Sequence, residues 1–315
     1  MRTLVTGGAG FIGSHLVDAL VNRGDEVAII DDLSSGKPEN VANAIAVGAT
    51  LFESDIRDQD SVRRIFEKTR PELVFHLAAQ MDVRRSVADP TFDASVNVAG
   101  TVNLLQCSHL LSTKRFVFLS TGGAIYGDNP NLPISESEDA LPLSPYGQSK
   151  LAAEGYVDFF HRVHGVNGVT LRLANVFGPR QDPHGEGGVV AIFCGKYKEG
   201  KSPTIFGDGE QTRDFVFVQD VVRATLLAAS ANVPGPINIG SGVETSVLEL
   251  VRLVGHQDDK TGFDPVFAEE REGEIARAAI DPAKAKAELG WEAETGVEAG
   301  LKLTLEHLSV QPSFG

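Results

Sequence analysis

Tyr146 and Lys150 stand one helical turn apart in Tyr146-Gly147-Gln148-Ser149-Lys150, directly after Ser144-Pro145. Positions i and i+4 of a helix share a face. Serine is a good helix cap and proline a good first residue, so this segment is predicted to open a helix. An ammonium beside a phenol favours the phenolate and lowers a pKa that is ordinarily about 10. A phenol so tuned can take a hydroxyl proton while hydride leaves the same carbon. Spacing alone does not assign this role, because Tyr197 and Lys201 repeat it. Context separates the two pairs. Tyr146 follows the apolar run Phe118-Leu119-Ser120-Thr121, whereas Tyr197 falls in a lysine-rich segment expected to be a solvated helix end.

A hydride needs an acceptor, and the opening residues supply a place for one. Leu4-Val5-Thr6 runs into Gly7-Gly8-Ala9-Gly10-Phe11-Ile12-Gly13. An apolar strand precedes these glycines and a helical pattern follows. Glycines in that setting let the backbone turn tightly and approach a pyrophosphate, which then meets the helix N-terminus. The second apolar run ends in Asp31-Asp32. A carboxylate at that tip accepts ribose hydroxyls and repels a 2′-phosphate, which favours NAD over NADP; Lys37 is the nearby residue that opposes this preference. Asp55-Ile56 is positioned to frame an adenine, and Leu77-Ala78-Ala79 ends a strand with small residues that let a dinucleotide lie close. Asn97 opens Asn-Val-Ala-Gly-Thr, where it serves either the cofactor or the backbone.

These residues need a scaffold. Short apolar runs at 3–6, 27–30, 73–77, 115–120, 169–173 and 236–239 alternate with amphipathic stretches such as 12–22, 61–68 and 101–111. That alternation predicts an α/β protein with a Rossmann-type, doubly wound parallel sheet. After about residue 175 the texture changes. Residues 178–188 read as a loop and 189–199 as a helix, and 212–229 resume the strand–helix pattern, as if returning to the sheet. The expected division is a dinucleotide-binding domain of residues 1–174 and 212–240, with a smaller, discontinuous substrate-binding lobe of 175–211 and 241–315.

Composition narrows the partners. A net charge of −15 and a pI near 4.9 argue against nucleic acid. Two cysteines, Cys107 and Cys194, suit a reducing compartment better than a disulfide framework. The chain enters its first strand at once, which leaves no stretch for a signal peptide, and it holds no run long enough to span a membrane. The expected location is the cytoplasm, with no metal called for.

Taken together, the glycine turn, Asp31, His76-Leu77-Ala78-Ala79, and the segments 120–127, 146–150, 172–179, 213–220 and 271–274 resemble the extended short-chain dehydrogenase/reductase family along nearly the whole chain. Within it the resemblance is to the UDP-glucose (UDP-galactose) 4-epimerases. It implies NAD that stays bound and acts catalytically. It also implies that Tyr146 takes the proton of the sugar 4-hydroxyl while Lys150 holds the nicotinamide ribose. The 4-keto sugar then turns over and receives hydride on its other face.

The hydroxyl that assists the tyrosine usually stands where this chain has Gly122, so Thr121 becomes the candidate and Ser120 the alternative. Related dehydratases place Asp-Glu after the threonine, and decarboxylases a Glu; Gly122-Gly123 offers no acid, which leaves epimerisation. The resemblance adds Ser35 and Gly36 to the cofactor site. For the substrate it implies Asn175, Val189, Thr204, Phe206, Arg213, Arg271 and Glu274, the arginines suiting a diphosphate. Arg180 is placed where it could meet a hexuronate, and Ala278 where a small residue would admit an N-acetyl group. UDP-glucuronate and UDP-N-acetylhexosamine 4-epimerases are therefore the alternatives, with a non-catalytic NAD-binding regulator as the competing class. The family further implies a homodimer through helices at 97–111 and 146–164.

Overall fold

The computed structural model describes residues 1–183, 188–233, 235–258, 263–270 and 275–310. Along the chain the strands are β1 (Arg2–Thr6), β2 (Glu26–Asp31), β3 (Thr50–Glu53), β4 (Leu73–His76), β5 (Arg115–Thr121) and β6 (Gly168–Leu173). They continue as β7 (Asn175–Phe177), β8 (Thr204–Phe206), β9 (Thr212–Phe217), β10 (Pro236–Ile239), β11 (Glu244–Ser246) and β12 (Val266–Ala268). Seven of them form one sheet in the order β10-β6-β5-β4-β1-β2-β3. Every pairing in it is parallel.

Alternation along each strand feeds two cores. Val5, Ile29, Phe75 and Val117 pack with Leu16, Val17 and Leu20 of the Phe11–Asn22 helix and with Val221 of the Val218–Ser230 helix. Leu4, Ile30, Val74 and Phe118 face the other way, onto Phe66, Leu104, Leu105, Val157 and Phe160. Those residues belong to the Gln59–Thr69, Thr101–Leu110 and Pro145–His164 helices. Helices on both faces explain why the central strands read as continuous apolar runs. Strand order reverses between β1 and β4, so the crevice at their carboxyl ends is the natural dinucleotide site.

The second lobe has a core of its own, built on Phe177, Phe193, Phe215, Phe217, Leu250 and Leu301. Its strands form a three-stranded sheet, β11-β9-β7, and a two-stranded one, β12-β8. Here the structure departs from the sequence expectation. The strand of the 212–229 segment does not rejoin the large sheet; β9 pairs with β7 and β11 instead. Only β10 returns, beside β6. Asp214 in β9 fixes this arrangement, since its carboxylate accepts Ser241 N–H at 2.8 Å, Gly242 N–H at 3.1 Å and Ile280 N–H at 3.3 Å. Strand β3 escaped the reading because it is a short edge strand with a half-exposed pattern.

Candidate active site

The Pro145–His164 helix opens as its sequence predicts. Ser144 Oγ accepts Gly147 N–H at 3.1 Å, and Pro145 takes the first position. Tyr146 N–H donates to Ser86 Oγ at 3.2 Å, which ties this end to the Val83–Ala88 helix. One turn on, Lys150 is 3% exposed. Its Nζ donates to Leu119 O at 2.6 Å and lies 4.2 Å over the Phe118 ring. The helix thus lays the pair against the end of β5, where Ser120 and Thr121 emerge.

Burial dominates the electrostatics of the pair. It pushes the Tyr146 phenol up to about 12, the negative charge of Asp93 pushes the same way, and a hydrogen bond with Thr121 opposes both. Burial brings Lys150 down to about 7, against the pull of Glu154 and Asp93. The expectation that Lys150 would lower the tyrosine pKa is therefore corrected for the protein alone. Both groups lose solvation, and the ammonium is directed at a backbone carbonyl. The electrostatics also separate the two hydroxyl candidates. Thr121 draws the Tyr146 phenol down, whereas Ser120 Oγ is buried without a hydrogen-bond partner among the described residues.

The cofactor crevice is shaped by what glycine lacks. Gly7 has φ +69°, and a Cβ there would fall 2.6 Å from Ala78 N across the β1–β4 switch point. A Cβ on Gly13 would meet Gly7 O at 2.1 Å. Gly10 ends the turn at the mouth of the Phe11–Asn22 helix, which carries no side-chain cap and no acidic residue in its first turn. Phe11, Ile12 and Gly13 therefore form an uncapped helix start suited to an anion.

Asp31, buried at the tip of β2, accepts Ala9 N–H at 2.8 Å and Leu33 N–H at 3.0 Å. Burial raises its carboxyl, and those two amides resist the rise. Gly36 passes so close that a Cβ would sit 2.6 Å from Asp31 Oδ1. Asp32 and Ser35 are exposed, and Asp32 accepts Ser34 N–H at 3.0 Å. A side-chain-free anion cradle with a carboxylate at the adjacent strand tip fits a dinucleotide without a 2′-phosphate.

Other predicted contacts have structural duties. Leu77 and Ala78 N–H groups donate to Thr6 Oγ1 at 3.3 and 3.2 Å, and Ala79 follows half-buried. Asp55 is gripped by Arg57, with Nη2 at 2.6 Å. Ile56 is buried against Gly100. Asn97 bonds the backbone in both directions: its Oδ1 accepts Gln80 N–H at 3.0 Å, and its Nδ2 donates to Gln80 O at 2.9 Å.

Two buried groups were given no role by sequence reasoning. His76 bridges Thr6 Oγ1 and Thr101 Oγ1, each at 2.8 Å, and burial with the nearby Lys150 keeps it far below its ordinary pKa. Asp93 is wholly buried beside the tyrosine–lysine pair. An aspartate one turn before an asparagine gives no sequence signal of burial.

In the second lobe, Asn175 opens β7 in register with Phe215, so Arg213 lies on the strand beside it. Arg213 is half-buried and donates to Thr212 O at 2.8 Å. Thr204 is exposed and Phe206 half-buried, both on β8, and Val189 packs at the edge of the third core. Arg271 and Glu274 lie outside the described residues. A Cβ on Gly122 would fall 2.8 Å from Ile280 Cδ1, and one on Gly123 would fall 3.5 Å from Asn175 Oδ1. Position 122 therefore lacks an acid and also lacks space for one while Ile280 stays in place.

Two readings change. Tyr197 is buried in the third core, its ring 5.2 Å from Phe263, and is not at a solvated helix end. Arg180 Nη2 pairs with Asp18 at 2.7 Å, which ties the 178–182 loop to the cofactor-domain helix, while its Nη1 is buried without a hydrogen-bond partner among the described residues.

A glycine-turned dinucleotide crevice together with a half-buried tyrosine and a buried lysine one helical turn apart defines a nucleotide-dependent enzyme of hydroxyl–carbonyl chemistry. The chain matches the NAD dependent epimerase/dehydratase family over residues 3–240 and belongs to it. It is 44% identical over 312 residues to the UDP-glucose 4-epimerase of Mycolicibacterium smegmatis, spanning 97% of this chain and 98% of that protein. The UDP-glucose 4-epimerase of Thermotoga maritima, solved with UDP-glucose, matches with TM-score 0.95 at 47% identity, over 98% of this chain and 99% of that one. The UDP-glucose 4-epimerase of Thermus thermophilus, solved in complex with NAD, gives 0.92 at 41%, over 98% and 99%.

Proposed function

We propose that the chain interconverts UDP-glucose and UDP-galactose by NAD-dependent 4-epimerisation through a transient 4-keto sugar. The observation that carries this reading is the Tyr146–Lys150 helix turn laid against the end of β5 at Thr121, beside the acid-free helix start Gly122-Gly123, where Ile280 fills the space next to position 122. Oxidation at C4 can proceed there, while elimination or decarboxylation finds no acid at positions 122 and 123 to assist it. NAD supplies the hydride acceptor at C4 and gives the hydride back. Gly7, Gly10, Phe11, Ile12, Gly13, Asp31, Asp32, Ser35, Gly36, Asp55, Ile56, Leu77, Ala78 and Ala79 would hold it, with Asn97 bracing the wall from behind.

Tyr146 takes the proton from the 4-hydroxyl in the first half and returns it in the second. Thr121 fixes the phenol oxygen and shares the hydrogen bond to the sugar. Lys150 would hold the nicotinamide ribose at the same corner. Arg213 with Asn175 would hold the diphosphate, Thr204 and Phe206 the uracil, and Val189 the wall between them.

The pairing of Arg180 Nη2 with Asp18 leaves only its buried Nη1 for a hexuronate, which weakens that alternative. Ala278 is half-buried with its N–H on Thr212 O at 3.2 Å, and its small side chain supports an N-acetylhexosamine as second substrate. The reading extends to a homodimer, supported by exposed Leu110, Tyr156, Phe159 and Val163 on two neighbouring helices, and to the cytoplasm, supported by two buried free cysteines. No described helix is long and apolar enough to cross a membrane.

Purified protein incubated with UDP-galactose and no added reductant should form UDP-glucose. No interconversion by folded, NAD-containing protein would overturn the proposal. Tyr146→Phe should abolish turnover and keep NAD bound; turnover retained would remove Tyr146 from the reaction, and a non-catalytic regulator would show none even in the wild type.

A further inference from the structure

Asp93 lies on the short Pro90–Ala94 helix, which packs against the helix carrying Tyr146 and Lys150. Its exposure is 0%. One oxygen, Oδ1, accepts Gln80 Nε2 at 2.8 Å and Asn97 Nδ2 at 3.0 Å. The other, Oδ2, is buried with no hydrogen-bond partner among the described residues. An unbonded carboxylate oxygen in a dry interior is costly, and a nearby cation is the usual compensation. A negative charge on this helix, packed against the one that carries the pair, would raise the pKa of both Tyr146 and Lys150. Its two amide donors fix it in place, so it cannot swing toward solvent.

We propose that Asp93 is a positioning residue for the proton transfer, a fixed negative charge that sets how protons are shared between Lys150 and Tyr146. It favours the ammonium at one and the phenol at the other. The tyrosine is thereby kept from ionising before the reaction calls for it, and the phenolate, once formed, is the more basic. Other ionisable groups leave this role open. Glu154, which also acts on Lys150, is held by Arg172 on β6 at 2.7 Å. His76 at the tip of β4 is held neutral between two threonines. Arg84, Arg85 and Asp89 on the adjoining elements are exposed. Arg85 stacks on Phe92, 4.1 Å from its ring centre, and Asp89 caps Phe92 N–H at 2.9 Å.

The proposal rests on the epimerase reading for its catalytic consequence but not for its chemistry, so two readouts test it. Asp93→Asn keeps the acceptor for Gln80 and Asn97 and removes the charge. In NAD-containing enzyme, both limbs of the kcat–pH profile on UDP-galactose should move to lower pH by about one unit, the scale of a close buried charge. Asp93→Glu should restore the wild-type position whatever its kcat. The second readout needs no turnover. The pH window in which Lys150 contributes to unfolding stability, taken from Asp93→Asn against Asp93→Asn/Lys150→Met, should move down by the same amount. If Asp93→Asn does not fold, Asp93→Ser is the neutral variant measured in the same way. A profile and window unmoved in a folded neutral variant would overturn the proposal, even if kcat fell at every pH. A wild type inactive on UDP-hexoses, with the stability window still moving, would count against the epimerase reading alone.

Discussion

Replacing Lys150 by methionine should change how stability depends on pH. The buried amine loses its proton at about 7, where an ordinary lysine keeps it to 10.5. Between those limits the unfolded chain binds more protons than the folded one. The sign follows: a lysine pKa lowered by folding makes the wild type more stable as pH rises through this window. One proton is worth about 1.4 kcal/mol per pH unit once the folded amine is fully neutral. From pH 7 to 9 the wild type should gain about 2 kcal/mol on Lys150→Met, because the first unit is still partly titrating. Methionine keeps the unbranched stem, so packing changes little and cancels between the two pH values. Urea unfolding of the cofactor-free proteins can be followed through Trp291, the single tryptophan, which is fully buried with Nε1 donating to Asp220 O at 2.9 Å. A difference between the proteins that stays flat over this range would refute the claim that position 150 holds an amine neutralised by burial. A difference moving the other way would mean that the fold holds the ammonium more tightly than water does.

Thr121→Val removes the hydroxyl that draws the Tyr146 phenol down and should lower kcat by about 10- to 100-fold, the scale of a bond to a charging group. Ser120→Ala removes a hydroxyl with no partner among the described residues and should leave kcat near the wild-type value; the reverse ranking in steady-state assays would exchange the two roles. Gly7→Ala should cost about 1–2 kcal/mol from its left-handed backbone alone, and more from the approach to Ala78, with NAD affinity falling in parallel. Denaturant titration and calorimetric NAD binding would expose the error if alanine were neutral on both.

Much of the site was legible because it is local. The glycine turn, the acid at the tip of β2 and the capped helix start at Ser144-Pro145 depend on neighbours in sequence, and strand periodicity located six of the seven strands of the large sheet to within a residue or two. What sequence did not carry depends on distant partners. Whether β9 joins the large sheet is decided by Asp214 reaching 241, 242 and 280. Arg180 is engaged by Asp18 from the first helix, and Tyr197 is buried because Phe263 comes back onto it. The clearest misreading was electrostatic. Lys150 does stand one turn from Tyr146, but spacing conveys proximity and says nothing of desolvation, which moves both groups further than the lysine moves the tyrosine. Gly122 is instructive in another way. Sequence gives the missing acid, while only the fold reveals Ile280 in the space that an acid would need.

The central claim is that hydride leaves C4 and returns to it within one site. UDP-galactose carrying deuterium at C4, incubated with the NAD-containing protein in ordinary water, tests this directly. The UDP-glucose formed should retain deuterium at C4, with none passed to solvent. Product carrying hydrogen at C4 would show that the carbon exchanged a proton with water, and it would contradict the account.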